Sequence, residues 1–442
     1  MPRRAATTAV KSKAVDVKST TFDVLSLAPE LVSEIFKQYL PVYPAAPPLH
    51  GDLSPTKLTQ ICGQWRSIAL NTPALWRAFS IFKGPDVLRA GDAPAIFQRF
   101  EDEFKRAKLW AERSGPLPLS VRMWEGLGAY DSDSDSDSES HGRRKRRRKP
   151  KRSYSDSGSD SESPGNSKRK LKRSFKRTRN EAWTMLLSNR ERLEYASLTL
   201  LPTWFEGQRH LRGSFPALRL LEVDSEWIDE RDRDGPHDTL GPLDAPLLDS
   251  VVLFWPHLSY ADLCDSLPWS QLTKLDLSEV GLNTAVAILR KTTNLVHFCL
   301  QIERLDYETP QYDGVVELTK LETFRLRPEA YLRISEDVLT GLRLPALKAF
   351  RIEDQYFPTK RDGRSPGQIF ARILQRFGAN IQRVVVEGKH SSARRKTIQE
   401  GCRSVSKDFP KIEFVRQESY ARFPTQIKSW PEWSLRLQMN EG

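Results

Sequence analysis

Residues that could catalyse a reaction or bind a metal are scattered through this sequence without the spacing that either chemistry needs. The chain has no G-x-x-x-x-G-K-[ST], no G-x-G-x-x-G, no H-E-x-x-H and no G-x-S-x-G motif. Its seven histidines and four cysteines are far apart, and no His pairs with a Cys at the interval of a zinc site. We therefore predict that the protein is not an enzyme and needs no metal or cofactor.

Bulk properties narrow the class of protein further. Four cysteines without a C-x-x-C pair are too few to staple 442 residues, which favours a reducing compartment. No run of about 18 apolar residues occurs, so the sequence predicts no transmembrane helix. A chain of this length needs two or more domains or one elongated repeat domain, because a single compact core stops growing before that size.

The net charge of +12 suggests a nucleic-acid partner until its distribution is considered. Residues 131–179 hold 17 Lys/Arg against 8 Asp/Glu, and residues 1–18 hold 5 against 1, which leaves −1 for the rest of the chain. The folded body is therefore nearly neutral, and this distribution argues against a nucleic-acid partner.

The basic surplus lies mainly in a segment, residues 125–180, that has almost no large apolar side chains. Such a segment cannot offset chain entropy by burial, so we predict a disordered insert. Its basic blocks are typical of nuclear import signals, although a merely solvated loop would have the same composition. They favour a nuclear or nucleo-cytoplasmic protein, and their leading cations are Arg143, Arg144, Lys145, Arg146, Arg147, Arg148, Lys168, Arg169 and Lys170.

A recurring L-x-x-L-x-L pattern fills the second half of the chain. It reads LRLLEV from Leu218, then LDSVVL, LTKLDL, LVHFCL, LETFRL, LKAFRI and IQRVVV, with weaker copies at Leu193 and Ile412. Most spacings fall near the roughly 20–29 residues of a leucine-rich repeat. Alternation within each copy predicts a short strand with one buried face, and stretches such as PGQIFARILQRFGAN predict returning helices. Stacked units would share one core, which predicts an α/β fold, a curved solenoid with a strand and a helix per repeat.

The chain also begins with two short apolar-striped helices. In LAPELVSEIF, Leu27, Leu31 and Ile35 are four residues apart, and Pro29 is placed for the first helical turn. In SPTKLTQICGQWRSIAL, Ser54 is placed as N-cap, and the apolar residues from Leu58 to Ala69 fall on one helical face. Two helices of this size bury little area together, so they need a neighbouring surface.

These helices resemble an F-box domain over about 55 residues. The family pattern has an L-P-x-E-L-x-x-x-I-F opening, a helix with W-R-x-(I/L)-A at its core, and a T-P-x-L-W tail. Departures are Ala28, where many members have a second proline, and the long Pro-rich loop 41–55. The matching positions are Leu27, Pro29, Glu30, Leu31, Ile35, Phe36, Leu58, Cys62, Trp65, Arg66, Ile68, Ala69, Pro73, Leu75 and Trp76.

The resemblance implies a substrate receptor of a Skp–cullin–F-box ubiquitin ligase. F-box helices bind the Skp-type adaptor of the cullin complex, and the repeats would hold a protein substrate. The adaptor would then complete the small helical core. By this resemblance the adaptor-binding residues are Leu27, Pro29, Leu31, Ile35 and Phe36, with Leu58, Ile61 and Trp65 behind or beside them.

The sequence thus predicts six regions. They are a disordered N-terminus (1–20), an F-box-like all-α domain (21–82), a connecting helix and first solenoid strand (83–124), the insert (125–180), the repeat domain (181–425) and a tail (426–442). Two other functions stay open: a repeat scaffold without a ligase role, and a chromatin- or RNA-associated protein that uses the basic insert.

Overall fold

A computed structural model describes most of the predicted folded body of the protein. The described residues are 26–81, 93–123, 164–200, 211–225, 240–254, 266–302, 314–328, 339, 341–353, 363–378, 381–388 and 391–415. The predicted N-terminal segment 1–20, the first basic block (Arg143–Arg148) and the tail 426–442 lie outside them.

Eight α-helices occur in the described ranges. Their bounds are α1 Pro29–Tyr39, α2 Pro55–Leu58, α3 Gly63–Leu70, α4 Ala93–Arg113, α5 Pro164–Ser188, α6 Leu282–Leu289, α7 Pro366–Arg376 and α8 Ser392–Val405. Within the part of the chain that the structure describes, none of them is long and apolar enough to cross a membrane.

Fifteen strands accompany these helices. The short ones are β1 Ala78–Ile81, β4 Leu211–Ser214, β10 Val316–Glu317, β12 Leu342–Arg343 and β15 Ile412–Val415. The others are β2 Leu119–Met123, β3 Leu193–Leu200, β5 Leu220–Ser225, β6 Leu240–Asp244, β7 Ser250–Phe254, β8 Lys274–Val280, β9 His297–Ile302, β11 Thr323–Pro328, β13 Ala349–Glu353 and β14 Arg383–Glu387.

One large parallel sheet dominates the fold, which is mixed α/β. Its 11 strands follow chain order, β1-β2-β3-β5-β7-β8-β9-β11-β13-β14-β15. The skipped strands form two small parallel pairs, β4 with β6 and β10 with β12. Each of the nine copies of the leucine pattern coincides with a strand of the large sheet.

The register of the strands aligns the pattern across the sheet. Because alternate residues of a strand point to opposite faces, the fourth and sixth positions of each copy form two rows on one face. The row at the fourth position is buried throughout and runs Phe79, Val121, Ala196, Leu221, Val251, Leu275, Phe298, Phe324, Phe350, Val384, Ile412. These rows give neighbouring strands one continuous apolar core.

The sheet begins earlier in the chain than the sequence predicts. The first strand is β1, inside the region predicted to be all-α, and β2 pairs with it in parallel. The tail of the F-box-like segment itself carries the pattern, as Trp76, Phe79 and Ile81, all of which are buried. Trp76 occupies the first position of this copy in place of a leucine, so the leucine pattern did not predict it. At the other end, Ile412 occupies the fourth position of its copy rather than the first, since it pairs with Val384.

The helical connections lie between later strands. Helix α6 follows β8, α7 follows β13, and α8 follows β14. Helix α7 begins with a capping box, because the Ser365 hydroxyl accepts from the Gln368 amide and the Gln368 side chain accepts from the Ser365 amide. Four aromatic rings at this end pack together, with centroids of Phe298 and Phe324 5.3 Å apart and stacked, and Phe350 and Phe377 beside them.

The predicted insert, 125–180, overlaps a helix at its C-terminal end. Helix α5 starts at Pro164, so its first 17 residues fall inside that range, including the backbone of Lys168, Arg169 and Lys170. Thr178, Ala182 and Leu186 are buried at intervals of four and anchor the helix, which packs against α4. The prediction of disorder was based on the charged composition of this stretch. The apolar residues that hold the helix in place come just after residue 180.

Candidate functional site

The strongest candidate site is on α1, which has apolar residues on two faces. Val32 and Phe36 are 1% exposed and belong to the core. Leu31 and Ile35 are 55% and 49% exposed, and Tyr39 continues this row one turn later at 38%. We call Leu31, Ile35 and Tyr39 the α1 stripe. Large apolar side chains at this exposure, in a row of four-residue steps, are typical of a surface that a partner covers.

The buried face of α1 is held by the segment that follows it. The Phe36 and Trp65 rings meet edge to face with centroids 4.9 Å apart. The hydroxyls of Ser33 and Thr72 are 3.0 Å apart, and Thr72 donates to the Ile68 carbonyl. These contacts fix the rotation of α1 about its axis, and therefore which of its residues face outward.

The second predicted helix is broken into α2 and α3, so its residues do not share one helical face. Ser54 caps α2 as predicted, accepting from the Thr56 amide at 3.2 Å. The Cys62 backbone is extended, and its sulfur accepts from the Trp65 amide at 3.4 Å, which makes Cys62 the N-cap of α3. A cap residue has non-helical backbone, so the helix cannot continue through it. Ile61, in the turn between the two helices, is consequently 54% exposed.

The structure divides the eight predicted adaptor-binding residues into two groups. Leu31, Ile35, Ile61 and Pro29 are exposed. Phe36 and Leu58 are buried, whereas Leu27 and Trp65 are half-buried against the core, so these four support the helices from within or from the side. The four-residue spacing alone could not separate the two groups, because Val32–Phe36 and Leu31–Ile35 have the same interval.

The charges around the α1 stripe are few and follow the helix dipole. Glu30 lies in the first turn and Lys37 in the last, which is the favourable arrangement. Lys37 donates to Glu34 at 2.6 Å, three residues away. The stripe is therefore a mainly apolar surface with one ion pair, Glu34–Lys37, on the same helix.

A second feature, which the sequence analysis missed, is an ion-pair network on the sheet face opposite the apolar rows. An Arg325 nitrogen lies 2.9 Å from a Glu387 carboxylate oxygen, and Arg351 pairs with the same carboxylate. An Arg327 nitrogen lies 3.7 Å from an Asp276 oxygen. The sequence did carry a signal for this network, because charged residues lie between or beside the core positions of successive copies. Examples are Asp276 in LTKLDL and Arg325 and Arg327 in LETFRLR.

Each carboxylate of this network is paired with at least one arginine. Asp276 and Glu387 are buried, and a buried carboxylate is tolerated only when cations and hydrogen bonds satisfy it. Burial also raises the pKa of the neighbouring Cys299 thiol to about 12, so this cysteine stays protonated and unreactive. The network therefore supports the sheet, and both of its carboxylates are held by arginines.

The described residues also include no cluster of three or more His, Cys, Asp or Glu side chains that could hold a metal ion. Neither the protein-family models nor the curated proteins with which the chain was compared give a match.

Proposed function

We propose that the protein is a substrate receptor of a Skp–cullin–F-box ubiquitin ligase, with the α1 stripe as the docking surface for the Skp-type adaptor. The observation that carries the proposal is the exposure of Leu31 and Ile35 on a helix whose other face is fully packed. Exposure of these apolar side chains to water is unfavourable in free energy, and burial against an apolar surface of a partner would remove that unfavourable term. Their places in the L-P-x-E-L-x-x-x-I-F pattern favour the adaptor as that partner.

We infer, further, that the eleven-stranded sheet is the inner wall of a leucine-rich-repeat solenoid that holds a protein substrate. The strict chain order of the strands, their parallel pairing and the aligned buried rows support this architecture. Repeat surfaces vary on a constant core, so the fold leaves the identity of the substrate to the exposed residues.

Gel filtration of the full chain mixed with a purified Skp-type adaptor tests the proposal. We expect a complex with one adaptor per chain, and we expect Pro29→Ala combined with Leu31→Ala to weaken it, so that less adaptor co-elutes, while the circular dichroism of the chain is retained. Separate elution of the wild-type chain and adaptor, or a double variant that co-elutes with as much adaptor as the wild type, would refute adaptor docking at α1.

A second candidate function is a repeat scaffold in which the helices only cap the sheet. The observation that favours it is the direct continuation of the helices into the edge strand β1, with Trp76 packed against Trp110 at 5.5 Å. Capping uses the buried face of α1 and adaptor docking the exposed one, so only docking requires the α1 stripe. The same gel-filtration experiment therefore distinguishes the two functions.

We also propose that the protein reaches the nucleus through its basic blocks. The second block lies on α5, where Arg173 and Arg177 are exposed. Replacing Lys168, Arg169 and Lys170 by alanine in the full-length protein should shift a fluorescent fusion toward the cytoplasm. An unchanged nuclear fraction, when Arg143–Arg148 are also replaced, would exclude import by these blocks.

A further inference from the structure

The Pro-rich segment between α1 and α2 packs against the start of the sheet. We call residues 41–50 the Pro-rich strap; it contains four prolines, and Pro47 and Leu49 within it are buried. Each proline fixes one backbone angle, so the strap loses less entropy when it is held in place than an ordinary loop would. The strap belongs to the loop 41–55, which is one of the two departures of the chain from the F-box pattern.

Tyr43 is the main attachment of the strap. Its hydroxyl donates to a carboxylate oxygen of Glu194, at the start of β3, over 2.9 Å. The guanidinium carbon of Arg77, the residue before β1, lies 3.6 Å from the centre of the Tyr43 ring. The ring also meets Tyr195 edge to face at 5.4 Å. One tyrosine therefore joins residues at the starts of two strands through three different interactions.

The partners of Tyr43 are themselves fixed. Arg219, which precedes β5, lies 3.2 Å from the other Glu194 oxygen, so the carboxylate is held from two sides. Strand β2 lies between β1 and β3, and its Ser120 hydroxyl donates to the Pro44 carbonyl at 2.7 Å. The strap thus crosses the starts of β1, β2 and β3, and it is bound to each of them or to the adjoining residue.

The strap gives the N-terminal helices a second point of attachment to the sheet. The first is the run from α3 through Trp76 into β1, where the helices and the sheet share one apolar core. The strap begins two residues after the end of α1, on the helix that carries the α1 stripe. Two attachments at different places resist rotation that one attachment would allow.

We propose that Tyr43 and Glu194 are positioning residues that hold the α1 stripe in one orientation relative to the eleven-stranded sheet. This role rests on the proposed function, because a ligase receptor must hold its substrate-binding surface in a fixed orientation relative to the docked adaptor. Neither residue contacts the α1 stripe's outward face, so the adaptor affinity itself should not depend on them.

The orientation can be measured as a distance between two spin labels in the full-length protein. Labels are placed through Lys37→Cys on α1 and Lys396→Cys on α8, both exposed positions, with Cys62 and Cys264 replaced by serine. We expect a narrow distance distribution in this parent protein. Tyr43→Ala should broaden or shift the distribution, whereas Tyr39→Phe, a conservative change at a tyrosine on α1 outside the strap, should leave it unchanged.

Tyr43→Phe keeps the ring and removes only the hydroxyl, so it tests the hydrogen bond even if the alanine variant folds poorly. Loss of this bond should speed amide exchange in the strap, including the Ala45 amide that donates to the Val42 carbonyl, by about five- to tenfold. Glu194→Gln should give a similar increase, since a neutral amide is a weaker acceptor.

Binding and transfer assays connect the measurement to function. With the reconstituted ligase, Tyr43→Ala should bind the adaptor as tightly as the parent protein but change the yield or the sites of ubiquitin transfer to the chain's own lysines. An unchanged distance distribution and unchanged amide exchange in the Tyr43 variants would overturn the positioning role. A parent protein that binds no adaptor would instead refute the proposed function, and the distance measurement would still decide whether the strap orients the helices.

Discussion

Truncating the α1 stripe should weaken adaptor binding without unfolding the protein. Complete burial of a leucine or isoleucine side chain contributes about 1.5–3 kcal/mol. Leu31 and Ile35 are already about half-buried, at 55% and 49% exposure, so a partner gains about 1 kcal/mol from covering each. Leu31→Ala with Ile35→Ala should therefore cost about 2 kcal/mol of binding free energy, which is about a 30-fold higher Kd.

Val32→Ala is the matched control on the same helix. Val32 is 1% exposed, so its truncation removes core contacts and should lower the free energy of unfolding by about 1–3 kcal/mol. The stripe variant should change it by less than about 0.5 kcal/mol, because alanine is a good helix former and half-exposed side chains contribute little. Isothermal titration with the adaptor and urea unfolding measure the two quantities.

Two results would refute this reasoning. A stripe variant that binds the adaptor like the wild type would show that the exposed face of α1 is not the docking surface. A stripe variant that loses as much stability as Val32→Ala would show that Leu31 and Ile35 are packed in solution, and the division of α1 into two faces would be wrong.

Three further predictions concern the sheet and its helices. Leu275→Asp places a charge in the fully buried row and should cost about 4 kcal/mol or more, whereas Thr273→Asp at a half-buried position should cost far less; equal losses of Tm would contradict the register. Gly367→Ala should cost about 1–3 kcal/mol, because the new methyl would collide with the Ile398 carbonyl oxygen where α7 and α8 cross; an unchanged Tm would show that the two helices can separate freely. Burial raises the pKa of Glu222 in the folded state, so its ionisation opposes folding, and stability should fall as the pH rises from the unfolded pKa through the folded one. Glu222→Gln should therefore raise Tm at neutral pH and lose this advantage in acid, and a constant difference across that range would refute the assignment.

The sequence by itself determined the α/β class and the interior of the sheet. A leucine pattern with alternating core positions can bury one face only if it forms a strand, and successive copies can share a core only if they lie side by side. The sequence also predicted local structure, since Ser54 caps α2 and the PGQIFARILQR stretch forms α7. These features depend on neighbours in sequence, and short-range spacing encodes them directly.

Only the tertiary structure decided which of two equivalent stripes on α1 is covered. Leu31–Ile35 and Val32–Phe36 have the same spacing, and the packing of Phe36 on Trp65 selects the second pair for the interior. The same holds for the strap, where Tyr43 and Glu194 are 151 residues apart in sequence and meet at 2.9 Å. Helix α5 also required the fold, since it packs on α4, a separate segment of the chain. Periodicity fixes which residues share a face, but the face that becomes buried is set by contacts between residues far apart in the chain.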